Sequence, residues 1–280
     1  MHRIAIVGLG LMGGSLGAAL LKHRDDVEVV GVARNEGTLK KATEKKAIHW
    51  GTTDISIAVK GASIIFVATP VRTIPSIIRK VANHIRGEAV ITDMGSTKEF
   101  VQKELQTNPL PPHIQYVGGH PIAGSEKSSI EHIDGNLFKG RPYVLIPHET
   151  NERTLFLRDL IKSIGARIII MHAAQHDTFL ALSSHLPHLI ASALVLELRT
   201  STDTPPFVPQ SFQDLTRIAA SSPSIWMDIF LTNKDNIHHS IEGMCQLLKK
   251  LDNAISSSPK QLEELLSTAK QFKDWLNTLS

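Results

Sequence analysis

The sequence predicts an α/β protein, with a parallel, doubly wound sheet over residues 1–171 and an all-α segment over residues 172–280. Three observations carry this. Short β-branched runs alternate with helix-forming stretches through the first part, the pattern of repeated strand–helix units. A glycine-rich turn joins the first strand to the first helix. After Met171 no convincing strand follows, and apolar residues recur at spacings of three and four.

The first element is the least obvious. Residues 4–21 read IAIVGLGLMGGSLGAALL, with Ser15 as the one polar side chain, and the apolar content resembles a signal peptide or membrane span. Five glycines in eighteen positions argue against a helix running through, since each costs about 1 kcal/mol relative to Ala in a helix interior. RIAIVGLG instead reads as a buried strand and GGSLGAALLKH as the helix after it. VEVVGVA (27–33) is a second buried strand, followed by a charged helical stretch over 36–47. ASIIFVATP (62–70) is a third strand, followed by a helix over about 71–85. EAVITDMGS (88–96) is a fourth, with a helix starting near Thr97. IQYVGGHP, RPYVLIPH and ARIIIM are three more strands, with a helix over 151–163 between the last two.

In the second part, Leu180, Leu186, Leu189, Ile190, Ala193 and Leu194 suit a long apolar helix that Pro187 should kink or break. Ile237, Ile241, Met244, Leu248, Leu251 and Ile255 follow a heptad-like rhythm, and Leu262, Leu265, Leu266, Phe272, Trp275, Leu276 and Leu279 continue it. Helices this apolar predict burial against a second subunit; a monomeric bundle packed on the sheet is the alternative.

Bulk properties narrow the function. The 280 residues are 42% apolar and 20% charged, as in ordinary soluble globular proteins, and the net charge is only +3. The densest basic cluster, KKATEKK (40–46), reads as a solvated helix face, so neither nucleic acid nor membrane is an expected partner. The single cysteine, Cys245, excludes an intrachain disulfide and a cysteine zinc cage, which fits a cytoplasmic, reducing setting.

Gly8, Gly10 and Gly13 form G-x-G-x-x-G between strand and helix, the context in which this pattern means dinucleotide binding. The first glycine makes the tight turn and the second admits a pyrophosphate. The third lets the helix pack closely, while the helix amino terminus at Leu11 and Met12 faces the phosphates. An NAD site usually has an acid about twenty residues on, to bind the ribose hydroxyls. Here Ala33 stands twenty residues past Gly13, followed by Arg34 and Asn35. A guanidinium pairs well with a ribose phosphate, so NADP is favoured over NAD, although Glu36 keeps NAD open.

At the carboxyl end of a predicted strand, VGGHPIAGSE (117–126) holds His120 on a constrained loop, suited to accept a proton near neutral pH. The bland alternative is a histidine that only hydrogen-bonds the loop. In DMGSTK (93–98), Ser96 could cap the following helix or take part in chemistry. SHLPH places His185 and His188 three apart, and FQDLTRIA places Arg217 near Asp214. With His172 and His176 the spacings permit a metal site on paper. No glutamate motif accompanies them, and none is expected.

Together, GLGLMGGSL, the strand-end ATP (68–70), DMGSTK, GGHPIAGSE, SHLPH and FQDLTRIA followed by Trp226 resemble the prephenate/arogenate (cyclohexadienyl) dehydrogenase family of tyrosine biosynthesis. The resemblance runs in order from residue 4 to about 230. It implies a Rossmann-type doubly wound domain (1–171) followed by a helical substrate and dimerisation domain (172–280), working as a homodimer. It also implies oxidative decarboxylation of prephenate or arogenate with hydride transfer to NAD(P). By motif, His120 resembles the residue that takes the ring hydroxyl proton, and Ser96 the serine that orients it and the nicotinamide. His188 resembles the substrate-pocket histidine, with His185 in the same motif. Arg217 resembles the arginine that holds a substrate carboxylate, and Trp226 the aromatic residue nearby. Thr69 and Pro70 fall among the cofactor contacts.

Two departures stand out. PPFVPQS replaces a glycine-rich turn common before F-x-D-x-T-R-I-A, which puts the contacts of the 204–212 loop in question. The chain also stops soon after the last predicted helix, so no appended mutase or regulatory domain is expected. The rivals are a β-hydroxyacid dehydrogenase-type oxidoreductase, which lacks its expected lysine in HAAQHDTFLALSSHLPH, and a non-catalytic nicotinamide-binding sensor. The sensor would leave His120, Ser96 and Arg217 without a joint purpose.

Overall fold

The computed structural model describes residues 1–123, 129–200 and 207–278. Residues 124–126 of the histidine motif and 204–206 of the loop before FQDLTRIA lie outside the described residues.

The chain begins with β1 (His2–Val7), α1 (Leu11–His23), β2 (Val27–Val32), α2 (Glu36–Glu44), β3 (Trp50–Thr52) and α3 (Ile55–Val59). Then come β4 (Ala62–Val67), α4 (Ile74–Ala82), β5 (Ala89–Asp93), α5 (Glu99–Thr107) and β6 (Ile114–Pro121). β7 (Pro142–Ile146), α6 (Glu152–Ser163) and β8 (Arg167–Ile170) complete one eight-stranded sheet of order β3-β2-β1-β4-β5-β6-β7-β8. The chain winds outward from β1 to β3 and restarts at β4 on the other side of β1. This makes the carboxyl ends of β1 and β4 the switch-point crevice where ligands of such sheets bind.

Both faces of the sheet are covered, which is why its strands are continuously apolar rather than alternating. Ile4, Ile6, Ile64 and Phe66 pack in one core with Leu16 and Leu20 of α1, Leu39 of α2 and Leu157, Leu160 and Ile161 of α6. Ala5, Val7, Ile65 and Val67 point the other way, into a second core with Ile55 of α3, Ile74 and Ile78 of α4 and Val101 and Leu105 of α5. Each such Leu or Ile contributes about 1.5–3 kcal/mol by leaving water.

The sheet departs from the wholly parallel expectation at one edge. β7 runs antiparallel to β6, with Gly118 opposite Ile146 and His120 opposite Val144, and β8 is again parallel to β7. A parallel neighbour needs a long crossover, usually a helix. The described part of the 122–141 connection carries only the 3-10 turn Ile130–His132. The three-residue β3 and the one-turn α3 are too short to leave a periodic signal, and both go unread in the sequence. Lys40, Lys41, Lys45 and Lys46 are exposed, while Leu39 and Ala42 face the core, as the solvated-face reading requires.

The helical part opens with α7 (Ala173–Leu180), the π-helical turn Ala181–His185 and α8 (Leu186–Thr200). The expected break at Pro187 is therefore a π turn just before it; π bulges relieve local misfit and recur at functional sites. Ala173–Thr200, with mean hydropathy 1.6, is long and apolar enough to cross a membrane by length and composition. Yet its His176, Asp177, His185 and His188 are buried, and the first two are hydrogen-bonded to residues of the sheet part. Next come α9 (Gln210–Thr216), the 3-10 turn Arg217–Ala220 and α10 (Pro223–Thr232).

The chain divides into two compact units, Met1–Lys234 and Asp235–Ser280. The first thus takes in α7–α10 with the sheet, because hydrogen bonds and packing tie those helices to it. The second holds nearly all of α11 (Lys234–Ser257), together with α12 (Pro259–Asn277). Leu247, Leu248 and Ile255 of α11 and Leu266, Phe272, Trp275 and Leu276 of α12 are exposed.

Candidate active site

The glycine turn follows β1 at the switch point. Gly8 has φ +102°, a left-handed conformation that glycine adopts without strain, and a Cβ there would stand 2.6 Å from the Ala68 carbonyl oxygen after β4. A Cβ on Gly13 would stand 2.0 Å from the Gly8 carbonyl oxygen, whereas one on Gly10 would meet nothing within 4 Å. The turn is closed at its first and third glycines and open at its second. α1 starts at Leu11 with no side-chain cap and no acid in its first turn, leaving the amino end facing that opening. These residues fit a dinucleotide pyrophosphate.

Across the crevice, Thr69 and Pro70 follow β4, with the Thr73 hydroxyl 3.0 Å from that of Thr69. Ala33, Arg34 and Asn35 follow β2, and Arg34 is exposed. Asn35 also caps α2, its Oδ1 accepting the Thr38 N–H at 2.8 Å.

His120 lies within β6 itself rather than on a loop after it, and this pairing with β7 fixes its direction. The backbone before it is clamped. The buried Asp93 accepts from Gly119 N–H at 3.2 Å and from the Tyr116 hydroxyl at 2.7 Å. The buried Lys98 ammonium donates to Asp93 and, at 2.7 Å, to the Gly119 carbonyl. Removing either member of such a buried pair leaves the other charge uncompensated, at a cost of about 3–5 kcal/mol.

His120 Nδ1 is 2.8 Å from His176 Nε2, and His176 Nδ1 is 2.7 Å from Asp177 Oδ1. Asp177 also accepts from the backbone N–H groups of Lys98, at 2.8 Å, and Glu99, at 2.9 Å. The cap of α5 is therefore a carboxylate from α7 rather than Ser96, which is partly buried in the turn before it. Burial holds the proton affinity of His120 well below the ordinary histidine range, and His176, Lys98 and His185 nearby push the same way.

The helices bring His185, His188 and Trp226 together. His188 stacks on Trp226 with centroids 3.7 Å apart, Trp226 meets His185 edge-on at 6.2 Å, and Phe230 closes the cluster. His188 Nδ1 is buried without a hydrogen bond. Asn233 Nδ2 donates to the Asp177 carbonyl at 2.8 Å and reaches His185 Nδ1 at 3.2 Å, so neutral His185 carries its proton on Nε2. Burial lowers the His185 pKa to about 4, and burial also lowers that of His188. Arg217 is exposed and opens the 3-10 turn packed along α8.

Asp93, Lys98, Tyr116, His176, Asp177 and Asn233 were not among the expected site residues. The available signal was a lone acid ending the apolar strand AVITD and an acid beside His176 in an apolar helix. Among the described residues there is no group of three or more His, Cys, Asp or Glu able to hold a metal.

Sheet topology, glycine turn and partly buried histidine define a protein of the Rossmann dinucleotide-binding class. Residues 16–170 match the family model described as prephenate dehydrogenase, nucleotide-binding domain. Residues 172–271 match prephenate dehydrogenase, dimerization domain. The chain belongs to the prephenate dehydrogenase family. It is 32% identical to a prephenate dehydrogenase of Bacillus subtilis over 98% of this chain and 76% of that one. It is 36% identical to a cyclohexadienyl dehydrogenase of Zymomonas mobilis over 91% and 88%. The crystal structure of prephenate dehydrogenase from A. aeolicus in complex with hydroxyphenyl propionate and NAD+ matches with TM-score 0.89 and 32% identity, over 99% of this chain and 98% of that one.

Proposed function

We propose that this chain is a prephenate or arogenate dehydrogenase, carrying out oxidative decarboxylation of the ring with NADP preferred over NAD. The observation that carries the reading is His120, a neutral, partly buried imidazole at the ligand edge of a sheet whose glycine turn is open at Gly10.

Gly8, Gly10, Leu11, Met12 and Gly13 hold the pyrophosphate, and Thr69 and Pro70 border it across the crevice. Ala33, Arg34 and Asn35 surround the adenosine ribose. The absence of a carboxylate at position 33, with a guanidinium beside it, supports NADP. The nicotinamide, when bound, supplies the hydride acceptor. His120 takes the proton of the ring hydroxyl as hydride leaves the carbon bearing it. The electrons of the ring–carboxylate bond then aromatise the ring as carbon dioxide departs. Ser96, in the turn after β5, orients His120 and the cofactor. Arg217 holds a substrate carboxylate. His188, whose Nδ1 lacks a protein partner, lines the substrate pocket with His185 and Trp226.

A domain division at 171/172 is supported by the adjoining family matches over 16–170 and 172–271. The homodimer is supported by the dimerization-domain match and by exposed Leu248, Ile255, Phe272 and Trp275. The single exposed Cys245 agrees with a cytoplasmic setting. The reading assigns no metal.

The test is a four-way assay of the purified chain, prephenate or arogenate with NAD or NADP, following reduced cofactor by absorbance. Turnover of one substrate with NADP ahead of NAD is expected. No turnover in any combination refutes the reading.

A further inference from the structure

His120, His176 and Asp177 form a chain of two hydrogen bonds, of 2.8 and 2.7 Å. Both oxygens of Asp177 already accept backbone N–H groups of Lys98 and Glu99, so this carboxylate meets His176 as an acceptor. With one proton on its ring, His176 presents Nδ1–H to that carboxylate and has Nε2 left as an acceptor. The atom 2.8 Å from that acceptor, His120 Nδ1, must then be the donor. His120 is left with its proton on Nδ1 and a lone pair on Nε2.

We infer that His176 and Asp177 are positioning residues that fix the tautomer of His120, so that its Nε2 is always the basic nitrogen toward the substrate. The inference rests on the assignment of His120 as the base. When the hydroxyl proton reaches Nε2, the resulting imidazolium keeps its Nδ1–H on His176 Nε2, and Asp177 balances the charge through the second ring. The other groups around His120 would not do this. Lys98 is cationic and engaged by Asp93 and the Gly119 carbonyl, and His185 is engaged by Asn233. Because His120 is on β6 and its two partners are on α7, the base is ordered only where α7 docks on the amino end of α5.

Substitutions at two positions read the proton order. In Asp177→Asn the amide still accepts the backbone N–H groups but donates to His176 Nδ1. His176 then carries its proton on Nε2 and donates to His120 Nδ1, so His120 Nε2 is protonated and cannot act as base. In His176→Gln the amide oxygen accepts from His120 and its nitrogen donates to Asp177, preserving the order without an ionisable ring. His176→Leu removes both bonds.

The expected kcat loss is about 10²- to 10⁴-fold for Asp177→Asn and at least about 10²-fold for His176→Leu. His176→Gln should stay within about tenfold of the unmodified protein, and all three should keep their cofactor dissociation constant. The ascending limb of the kcat/KM pH profile, which reports His120, should keep its position in His176→Gln and be displaced in His176→Leu. Equal kcat and pH profile in His176→Gln and His176→Leu overturns the inference, even if Asp177→Asn fails to fold. So does undiminished turnover in Asp177→Asn. His120→Asn separates the two levels. If it is inactive while the relay variants behave as the unmodified protein, the base stands and the relay falls. If it turns over normally, both fall.

Discussion

The second and third glycines of the same turn should fail in opposite ways when each is replaced by alanine. Gly10 has φ −78° and ψ −160°, a conformation open to any residue, and its added Cβ would meet nothing within 4 Å. Alanine there loses a few tenths of a kcal/mol as a worse amino-terminal cap and regains a similar amount by restricting the unfolded chain. Stability should change by less than about 1 kcal/mol. The new methyl group, however, occupies the space through which a pyrophosphate reaches the backbone. Loss of one charge-assisted hydrogen bond is about 1.5–3 kcal/mol, or roughly 10- to 100-fold in cofactor dissociation constant. At Gly13 the Cβ would stand 2.0 Å from the Gly8 carbonyl oxygen, 3.0 Å from Ala68 Cβ and 3.1 Å from Ile6 Cγ2. No rotamer relieves a clash with backbone, so the turn must shift, at about 3 kcal/mol or more. Urea unfolding of the cofactor-free protein measures the first quantity, and titration of protein fluorescence with NADP or NAD the second. Gly10→Ala should keep its midpoint and lose affinity, while Gly13→Ala should lose both. An unstable Gly10→Ala that binds normally, or an unaffected Gly13→Ala, would refute the geometry.

His120→Asn should lower kcat about 10²- to 10⁴-fold at nearly unchanged cofactor affinity, by steady-state kinetics alongside cofactor titration. Arg34→Ala should weaken NADP binding far more than NAD binding, and equal losses in the two titrations would remove the basis for preferring NADP. Acid should destabilise the fold through its buried histidines. The folded pKa of His185 lies near 4, below its ordinary 6.5, so the unfolded chain binds more protons between those values. Stability falls as pH drops through that window, by about 3 kcal/mol from His185 alone, with His120 and His188 adding in the same direction. Urea midpoints measured from pH 7 to pH 4 should show the slope, and His185→Gln should flatten it.

The strands were legible because they are buried on both faces, so runs such as IAIV and SIIFV need no periodicity to be recognised. The glycine turn was legible because its three glycines fall close together between a strand and a helix, although the contact that requires Gly8 comes from Ala68 after β4. What was hidden is long-range. His120 and His176 are 56 positions apart, and Asp177 caps a helix 78 and 79 positions before it, a relation no local spacing encodes. The capping alternative for Ser96 followed the local rule, and a carboxylate arriving from another helix takes that place instead. The reversed β7 was hidden for a different reason. Strand direction is set by the connection, and a connection without a helix leaves no pattern to read.

The pairing of β6 with β7 has a consequence for how chains like this one can vary in length. Successive side chains of a strand point to opposite faces, so inserting or deleting one residue in β6 ahead of His120 would turn the imidazole to the far side of the sheet. The Gly118–Ile146 to Pro121–Tyr143 ladder leaves no slack to absorb it. In the 122–141 connection the described residues are held by packing rather than by register, with Ile130 and Phe138 in the core and the Asp134 N–H donating to Ser15 Oγ at 3.0 Å. A change of length immediately ahead of His120 is therefore the one that strand register forbids.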